Sequence, residues 1–352
     1  MNTAPSLRVE ALVSGRLAAS SRFRVLQHVG PLQRFGIEVH AEPPRISKYA
    51  SLPPAARRHP RFVRSAKVGL TAAKLAVRLP HVARSWRADL SWLEREVLPG
   101  SVTLETLLHR PLLFDVDDAI WLPSSAHERA ARTVAARSAC VMAGNDFLAD
   151  WFSSVAPDVE RVWTAVDTDR FTPGPAPEEF VVGWTGSGHT LRFIERLRAP
   201  LAHFLAVARD ARLLVMADVA PDLSGLPGDR VDFVKWTAEN EAAALRRLSV
   251  GIMPLRDSDW GRGKCAFKML QYLACGVPAV VSPVGLGAEI LAMGDVGLAA
   301  RNDDEWVETL LALRAEPDRA RRLGLAGRAL VERRFSVPVI AGQIASCMRR
   351  HA

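Results

Sequence analysis

Asp115, Asp117 and Asp118 form a close acidic cluster that follows the apolar run Leu112-Leu113-Phe114. The C-terminal end of a strand is where open α/β sheets carry functional groups. Clustered carboxylates suit Mg²⁺, while a helix N-cap at Asp117 or Asp118, before Ala119, explains them equally well. Lys264 and Lys268 are a second signal, one turn apart near a predicted helix N-terminus, where phosphate charge is already favoured. A solvated helix face would give the same spacing. The small-residue segment Gly183 to Gly188 follows another strand-like run. Its backbone N–H groups could approach a phosphate closely, and an ordinary strand-to-helix turn would read alike.

The four cysteines, Cys140, Cys265, Cys275 and Cys347, form no CxxC pair. They read as reduced thiols of a cytosolic protein, without histidines at zinc-ligand spacing. The chain has 352 residues, 49% hydrophobic and 24% charged, which fits two folded domains and excludes disorder. No run approaches the ~18 apolar residues of a membrane span. The opening Met1 to Ser6 lacks the pattern of a signal peptide, so none is expected. A formal charge of +8 calls for an anionic partner. One stretch concentrates it: from Arg57 to Arg87 there is no acidic residue. Val68, Leu70, Leu75, Val77 and Leu79 lie between its charges, a composition that suits a helix lying on anionic lipid. An Arg-rich solvated helix has the same composition. With Phe62 and Trp86 as its aromatic residues, the stretch lacks the interleaved rings of a nucleic-acid binder.

The elements that must position these residues alternate. Strand-like runs at 7–13, 37–40, 89–93, 111–116 and 139–143 are separated by helical or loop sequence, and a short extended run covers 161–166. After the Pro/Gly cluster Phe171 to Pro177 the alternation restarts with Phe180 to Trp184. Arg212 to Ala217, Val231 to Val234, Val250 to Leu255 and Pro278 to Ser282 read as further strands. Helices are predicted over Leu191 to Ala208, Glu239 to Leu248 and Lys264 to Ala274. This is the pattern of parallel, helix-covered sheets, with a Pro/Gly hinge. Neither half opens its first helix with GxGxxG, which argues against a dehydrogenase.

Four segments together resemble the family 4 glycosyltransferases (retaining, GT-B fold, glycosyl transferases group 1): Val162 to Phe171, Val182 to Ser187, Leu248 to Leu255, and Lys264 to Pro278 followed by Val280-Val281-Ser282. Ser21 to Arg24, Arg95-Glu96, Phe114 to Trp121 and Ala143 to Asn145 resemble a bacterial subgroup of that family. One departure stands out. The family's two glutamates, separated by seven residues, align with Gly263 and Gln271. The basic pair usual in the first loop of the donor half is also missing, since Trp184 to Thr190 contains only His189.

The resemblance implies two doubly wound Rossmann-like domains facing a central cleft. These are an acceptor-side domain over 1–172, a nucleotide-sugar domain over 178–336, and a C-terminal helix, 337–352, that packs back toward the first domain. It implies transfer of a sugar from a UDP- or GDP-type donor to a glycan, lipid-linked or small-molecule acceptor, with retention. No cofactor, metal or nucleic acid is implied. Gly183, Thr185, Gly186, Ser187, Trp236, Lys264, Lys268 and Gln271 are the implied donor-side residues. Lys264 and Lys268 take the diphosphate and Gln271 takes the ribose. Trp236 either stacks on the base or caps the core. Asp117 and Asp118 are the implied catalytic pair, orienting the acceptor or acting as base, and Gly15, Arg22 and Asn145 lie toward the acceptor. The resemblance places the enzyme in the cytoplasm, with peripheral contact to anionic membrane through residues 57–87. A GT-B-shaped protein that binds without transferring is the alternative.

Overall fold

The computed structural model describes residues 6–53 and 60–352, without the side chains of residues 60–62. The opening segment 1–5, Arg57 and Arg58 of the basic stretch, and the side chain of Arg61 lie outside the described residues. The chain divides into two units, one of residues 1–165 with 337–352 and the other of residues 166–336.

The first unit holds β1 (Leu7–Leu12), β2 (Ile37–His40), β3 (Leu90–Glu94), β4 (Leu112–Val116), β5 (Cys140–Ala143) and β6 (Val159–Arg161). They pair in parallel in the order β2-β1-β3-β4-β5-β6. β3, β4 and β5 are buried along their whole length, as strands covered on both faces must be, which is why their sequences read as continuous apolar runs. The chain runs from β1 out to β2 and then crosses to β3 on the other side of β1. The order therefore reverses between β1 and β3, and such a switch point opens a crevice at the strands' C-terminal ends.

The second unit repeats the plan with β7 (Phe180–Thr185), β8 (Ala211–Ala217), β9 (Val231–Lys235), β10 (Val250–Met253), β11 (Ala279–Val281) and β12 (Gly297–Ala299). The order is β12-β11-β10-β7-β8-β9, again parallel. Its switch point lies between β7 and β10. Trp184, Phe204, Leu213, Val250 and Trp306 belong to one buried core. The two doubly wound α/β halves read from the alternation are thus present.

Three predicted helices differ. Leu191 to Ala208 is two helices, Leu191–Arg196 and Arg198–Val207. Pro200 has no N–H to offer the Arg196 carbonyl and its ring crowds that oxygen, so the first helix stops. The helix expected from Lys264 begins at Phe267, because Ala266 takes the left-handed φ of 47°. Ahead of it stands the separate turn of helix Asp259–Arg262. Glu239 to Leu248 contracts to Glu241–Leu245. The basic stretch forms helices Pro60–Ala76 and Leu79–Ser85. No helix among the described residues is long and apolar enough to cross a membrane. The last helix, Val337–His351, buries Ile340, Ile344, Cys347 and Met348.

Candidate functional site

At the first unit's switch point, β1 leads through Val13 into Ser14-Gly15, and β3 ends at Glu94, with Arg95 next. The Glu94 carboxylate is fully buried and accepts from Ser14 N–H at 2.7 Å, Ser14 Oγ at 2.9 Å and Ser21 Oγ at 2.7 Å. Ser21 opens a one-turn π-helix, Ser21–Val25, a distortion common where a backbone is bent to a site. Gly15 donates its N–H to Ser21 Oγ at 3.3 Å, and Arg22 lies over the Phe23 ring at 4.6 Å. Arg95 holds a left-handed φ of 54°, which for a residue with a long side chain is a strained state kept by its surroundings. Its guanidinium meets Asp117 at 2.6 Å and Asp118 at 3.6 Å.

The acidic cluster is therefore split. Asp115 points to Arg24 at 2.8 Å and Trp92 Nε1 at 3.1 Å, while Asp117 and Asp118 belong to Arg95. Burial pushes the Asp115 carboxyl up to about 6, with Arg24 only partly offsetting it. The alternative of a helix N-cap before Ala119 does not hold: residues 120–123 form a turn, and the next helix starts at Ser125. Asn145 does cap a helix, its side chain accepting from Leu148 N–H at 2.9 Å.

Sequence reasoning missed two buried cations here. Lys48 is buried and donates to the Glu96 carbonyl at 2.9 Å, and Arg78 donates to the Val13 carbonyl at 2.6 Å. Burial lowers the Lys48 ammonium below its ordinary range. Their long sequence distance from the strands they brace left no local signal. Beside them Ala50, Ser51, Leu52, Lys67, Thr71 and Lys74 line a cavity of about 560 Å³.

At the second unit's switch point, the loop after β7 is shorter than predicted. Gly183 lies within the strand and Thr185 is its last residue. A Cβ on Gly183 would sit 2.2 Å from Leu248, so this glycine serves packing rather than a phosphate. Thr185 donates its N–H to Tyr272 Oη at 3.1 Å, which fixes the strand end to the helix Phe267–Ala274. In the loop proper, Gly186 N–H bonds Met216 O at 3.0 Å, Ser187 N–H bonds Thr190 Oγ1 at 3.0 Å, and Gly188 N–H bonds Asp218 Oδ1 at 2.6 Å. The expected cradle of backbone donors is thus already engaged at these three positions.

The side-chain cations remain in place, although Lys264 precedes the helix that carries Lys268. Lys268 Nζ lies 5.8 Å from the centre of the Trp184 ring, and that ring in turn fills the space where Gly186 would carry a Cβ. Lys264 Nζ stands 3.7 Å over the Trp260 ring, which stacks on Phe193 with centroids 5.3 Å apart. Arg192 comes over the same Trp260 ring at 5.0 Å. Cations at such distances are attracted by ring quadrupoles. Arg192 and Trp260 were not singled out from sequence; one lone basic residue and one tryptophan carry no motif. Trp236 follows β9 half-buried, its N–H on Ala217 O at 2.8 Å. Gln271 is buried, and its amide donates to Glu241 Oε1 at 3.0 Å, while Arg170 meets the other oxygen of Glu241 at 3.0 Å. The side chain expected at a ribose hydroxyl therefore spends a donor inside the protein. Gly263 ends the short helix Asp259–Arg262, its N–H on Asp259 O at 2.9 Å.

Residues 180–316 match the family described as "Glycosyl transferases group 1". The fold also recurs in solved structures. Sucrose-phosphate synthase from Thermosynechococcus elongatus superposes with a TM-score of 0.72 at 18% identity, over 99% of both chains. The Anabaena protein HepE in complex with UDP and glucose gives 0.69 at 14% identity, over 98% of this chain and 100% of its own. In sequence, alpha-maltose-1-phosphate synthase of Mycolicibacterium smegmatis is 27% identical over 314 residues, which is 79% of this chain and 75% of that protein. The chain has the GT-B fold, and its residues 180–316 match a glycosyltransferase family. The matched segment lies within the second unit, which also contains Lys264, Lys268 and Trp236.

Proposed function

We propose that this glycosyltransferase moves a sugar from a UDP- or GDP-type nucleotide sugar to an acceptor hydroxyl, with retention of configuration and without a metal. The observation that carries the reading is the set of cations Lys264, Lys268 and Arg192 around Trp184 and Trp260 at the C-terminal ends of β7 and β10. A departing diphosphate needs positive charge where its own charge develops, and a switch point is where such sheets bind nucleotides. UDP is favoured because HepE is described in complex with UDP-glucose.

In this reading the acceptor hydroxyl attacks on the face the diphosphate leaves. Its oxygen bonds to the anomeric carbon, the carbon–phosphate-oxygen bond breaks, and the hydroxyl proton passes to the leaving phosphate. Asp117 and Asp118, fixed by Arg95, orient the acceptor. The cavity beside Lys48, Lys67 and Lys74 suits an acceptor with an anionic group. The basic helices present exposed Val68, Leu79 and Trp86 beside exposed Arg64 and Lys67, and this supports peripheral binding to anionic membrane, the place of a lipid-linked acceptor. Charge reversal at Arg64 and Lys67 should then weaken binding to anionic vesicles at low salt, and equal binding of the parent to neutral vesicles would overturn that contact.

A thermal-shift panel with UDP, GDP and their sugar conjugates tests the donor, since a ligand of the native state raises Tm by mass action. A rise that disappears with chelator would refute metal independence. Nucleotide release from the sugar conjugate in the presence of acceptors separates transfer from binding alone.

A further inference from the structure

Cys140 opens β5 and shares a sheet face with Met142, two residues on. Glu160 of β6 is registered opposite Met142. Over this corner runs the helix Val337–His351, in which Cys347 and His351 stand four residues apart, on one face. One sulfur of each cysteine, a carboxylate oxygen of Glu160 and a ring nitrogen of His351 all lie within 4.8 Å of one another. The spacing first read as lacking a histidine thus contains one, at Cys347-x-x-x-His351.

The distances have the dimensions of a tetrahedron around a metal. The two sulfurs are 3.9 Å apart; sulfurs bound at about 2.3 Å to a tetrahedral zinc are separated by about 3.8 Å. His351 Nε2 and Glu160 Oε1 are 3.3 Å apart; nitrogen and oxygen ligands at about 2.0–2.1 Å are separated by about 3.3 Å. Both cysteines are fully buried, and two soft sulfurs with one imidazole and one carboxylate select zinc over magnesium or calcium. We propose that Cys140, Glu160, Cys347 and His351 form a structural zinc site that staples the C-terminal helix to β5 and β6.

Binding replaces the two thiol protons, which go to solvent, with bonds from both thiolates to Zn²⁺. Two thiolates, one carboxylate and the metal leave a single negative charge. Arg350, whose Nε donates to Glu160 at 3.1 Å, meets that charge and orients the carboxylate. The set of Glu10, His40 and His81, at the other end of the sheet, is a weaker candidate, because it has three ligands, no sulfur, and an exposed member in His40.

The full chain, stripped with chelator under reducing conditions, is titrated with cobalt(II) chloride. The site predicts one bound equivalent, a thiolate-to-metal charge-transfer band in the near ultraviolet, intense visible bands of four-coordinate cobalt, and bleaching on addition of zinc sulfate. Cys347→Ser and His351→Ala should each weaken cobalt binding by at least about 100-fold, since losing even a group that only supports a ligand costs about 10–100-fold. His351 is the last residue of its helix, so His351→Ala keeps the fold, which an unchanged thermal shift with UDP checks. Weak pink spectra of six-coordinate cobalt, spectra unchanged in either variant, or isolation of Cys140 and Cys347 as a disulfide would each overturn the site.

Discussion

The side-chain amide of Gln271 donates to Glu241 Oε1 at 3.0 Å, and both residues are buried. Gln271 aligns with the second glutamate of the family the sequence resembles, and the buried carboxylate beside it comes from a different helix, Glu241–Leu245. Arg170 balances Glu241 from the other side at 3.0 Å. Restoring the family residue by Gln271→Glu would set two carboxylates about 3 Å apart, which cannot both ionise. The pair would hold a proton above the usual carboxylate range, so its stability is present at low pH and lost as pH rises. Urea unfolding should show Gln271→Glu weaker than the parent by about 3 kcal/mol at pH 8, with most of the gap closed near pH 4. An equally stable variant at pH 8 would mean that the carboxylates move apart.

Gly183→Ala should destabilise the second unit, although alanine is the smallest change available. The new Cβ would come 2.2 Å from Leu248, in the middle of a strand that cannot move. Overpacking of this kind costs about 1–3 kcal/mol. Leu248→Ala in the same chain should recover part of the loss, and the pair should be non-additive. Additive losses in chemical denaturation would refute the contact.

Much of the fold was legible because parallel, doubly covered strands such as Leu112–Val116 and Val250–Met253 must be apolar throughout. What failed to show in the sequence has long-range causes. Gly183 and Gly186 look like a phosphate loop, yet their missing side chains make room for Leu248 and for the Trp184 ring. Nothing local to Ser14 or Ser21 announces Glu94, some seventy to eighty residues away, as their common acceptor. The start of helix Phe267–Ala274 depends on one left-handed residue, Ala266, which alanine propensity would never suggest. Lys264 and Lys268 were legible as charges; the rings that hold them were not.

His28 gives a pH dependence with a clear sign. It is buried, and burial, then Arg24, lower its imidazolium pKa to about 3 from an ordinary 6.5. The folded chain thus binds fewer protons than the unfolded one between those values, so stability is full above pH 6.5 and falls as pH drops. At pH 5 the loss is about 2 kcal/mol, the unfolded imidazole being about 1.5 units into its titration. His28→Leu should flatten the acid limb of a stability–pH curve between pH 6.5 and 4, whatever its effect at pH 8. A parallel acid limb in the variant would place the protonation elsewhere.

Lys268 offers the sharpest test of the donor site. Its ammonium lies 5.8 Å from the Trp184 ring at the end of β7, beside a loop whose Gly186, Ser187 and Gly188 N–H groups are already bonded within the protein. Under the proposed donor reading, phosphate recognition there rests on side chains, and a lysine–phosphate bond, being charge-assisted, contributes about 1.5–3 kcal/mol. Lys268→Ala should weaken UDP binding by about ten- to a hundred-fold and leave uridine, which has no phosphate, nearly unchanged. Lys264→Ala should show the same asymmetry, and the two losses should exceed either alone. Because exposed charge is screened by salt, the parent's advantage for UDP over uridine should shrink as ionic strength rises, and the Lys268→Ala chain should show less of that shrinkage. Calorimetry with both ligands at two salt concentrations reads all of these. If Lys268→Ala binds UDP as the parent does, that lysine is a solvated residue and the diphosphate is held elsewhere.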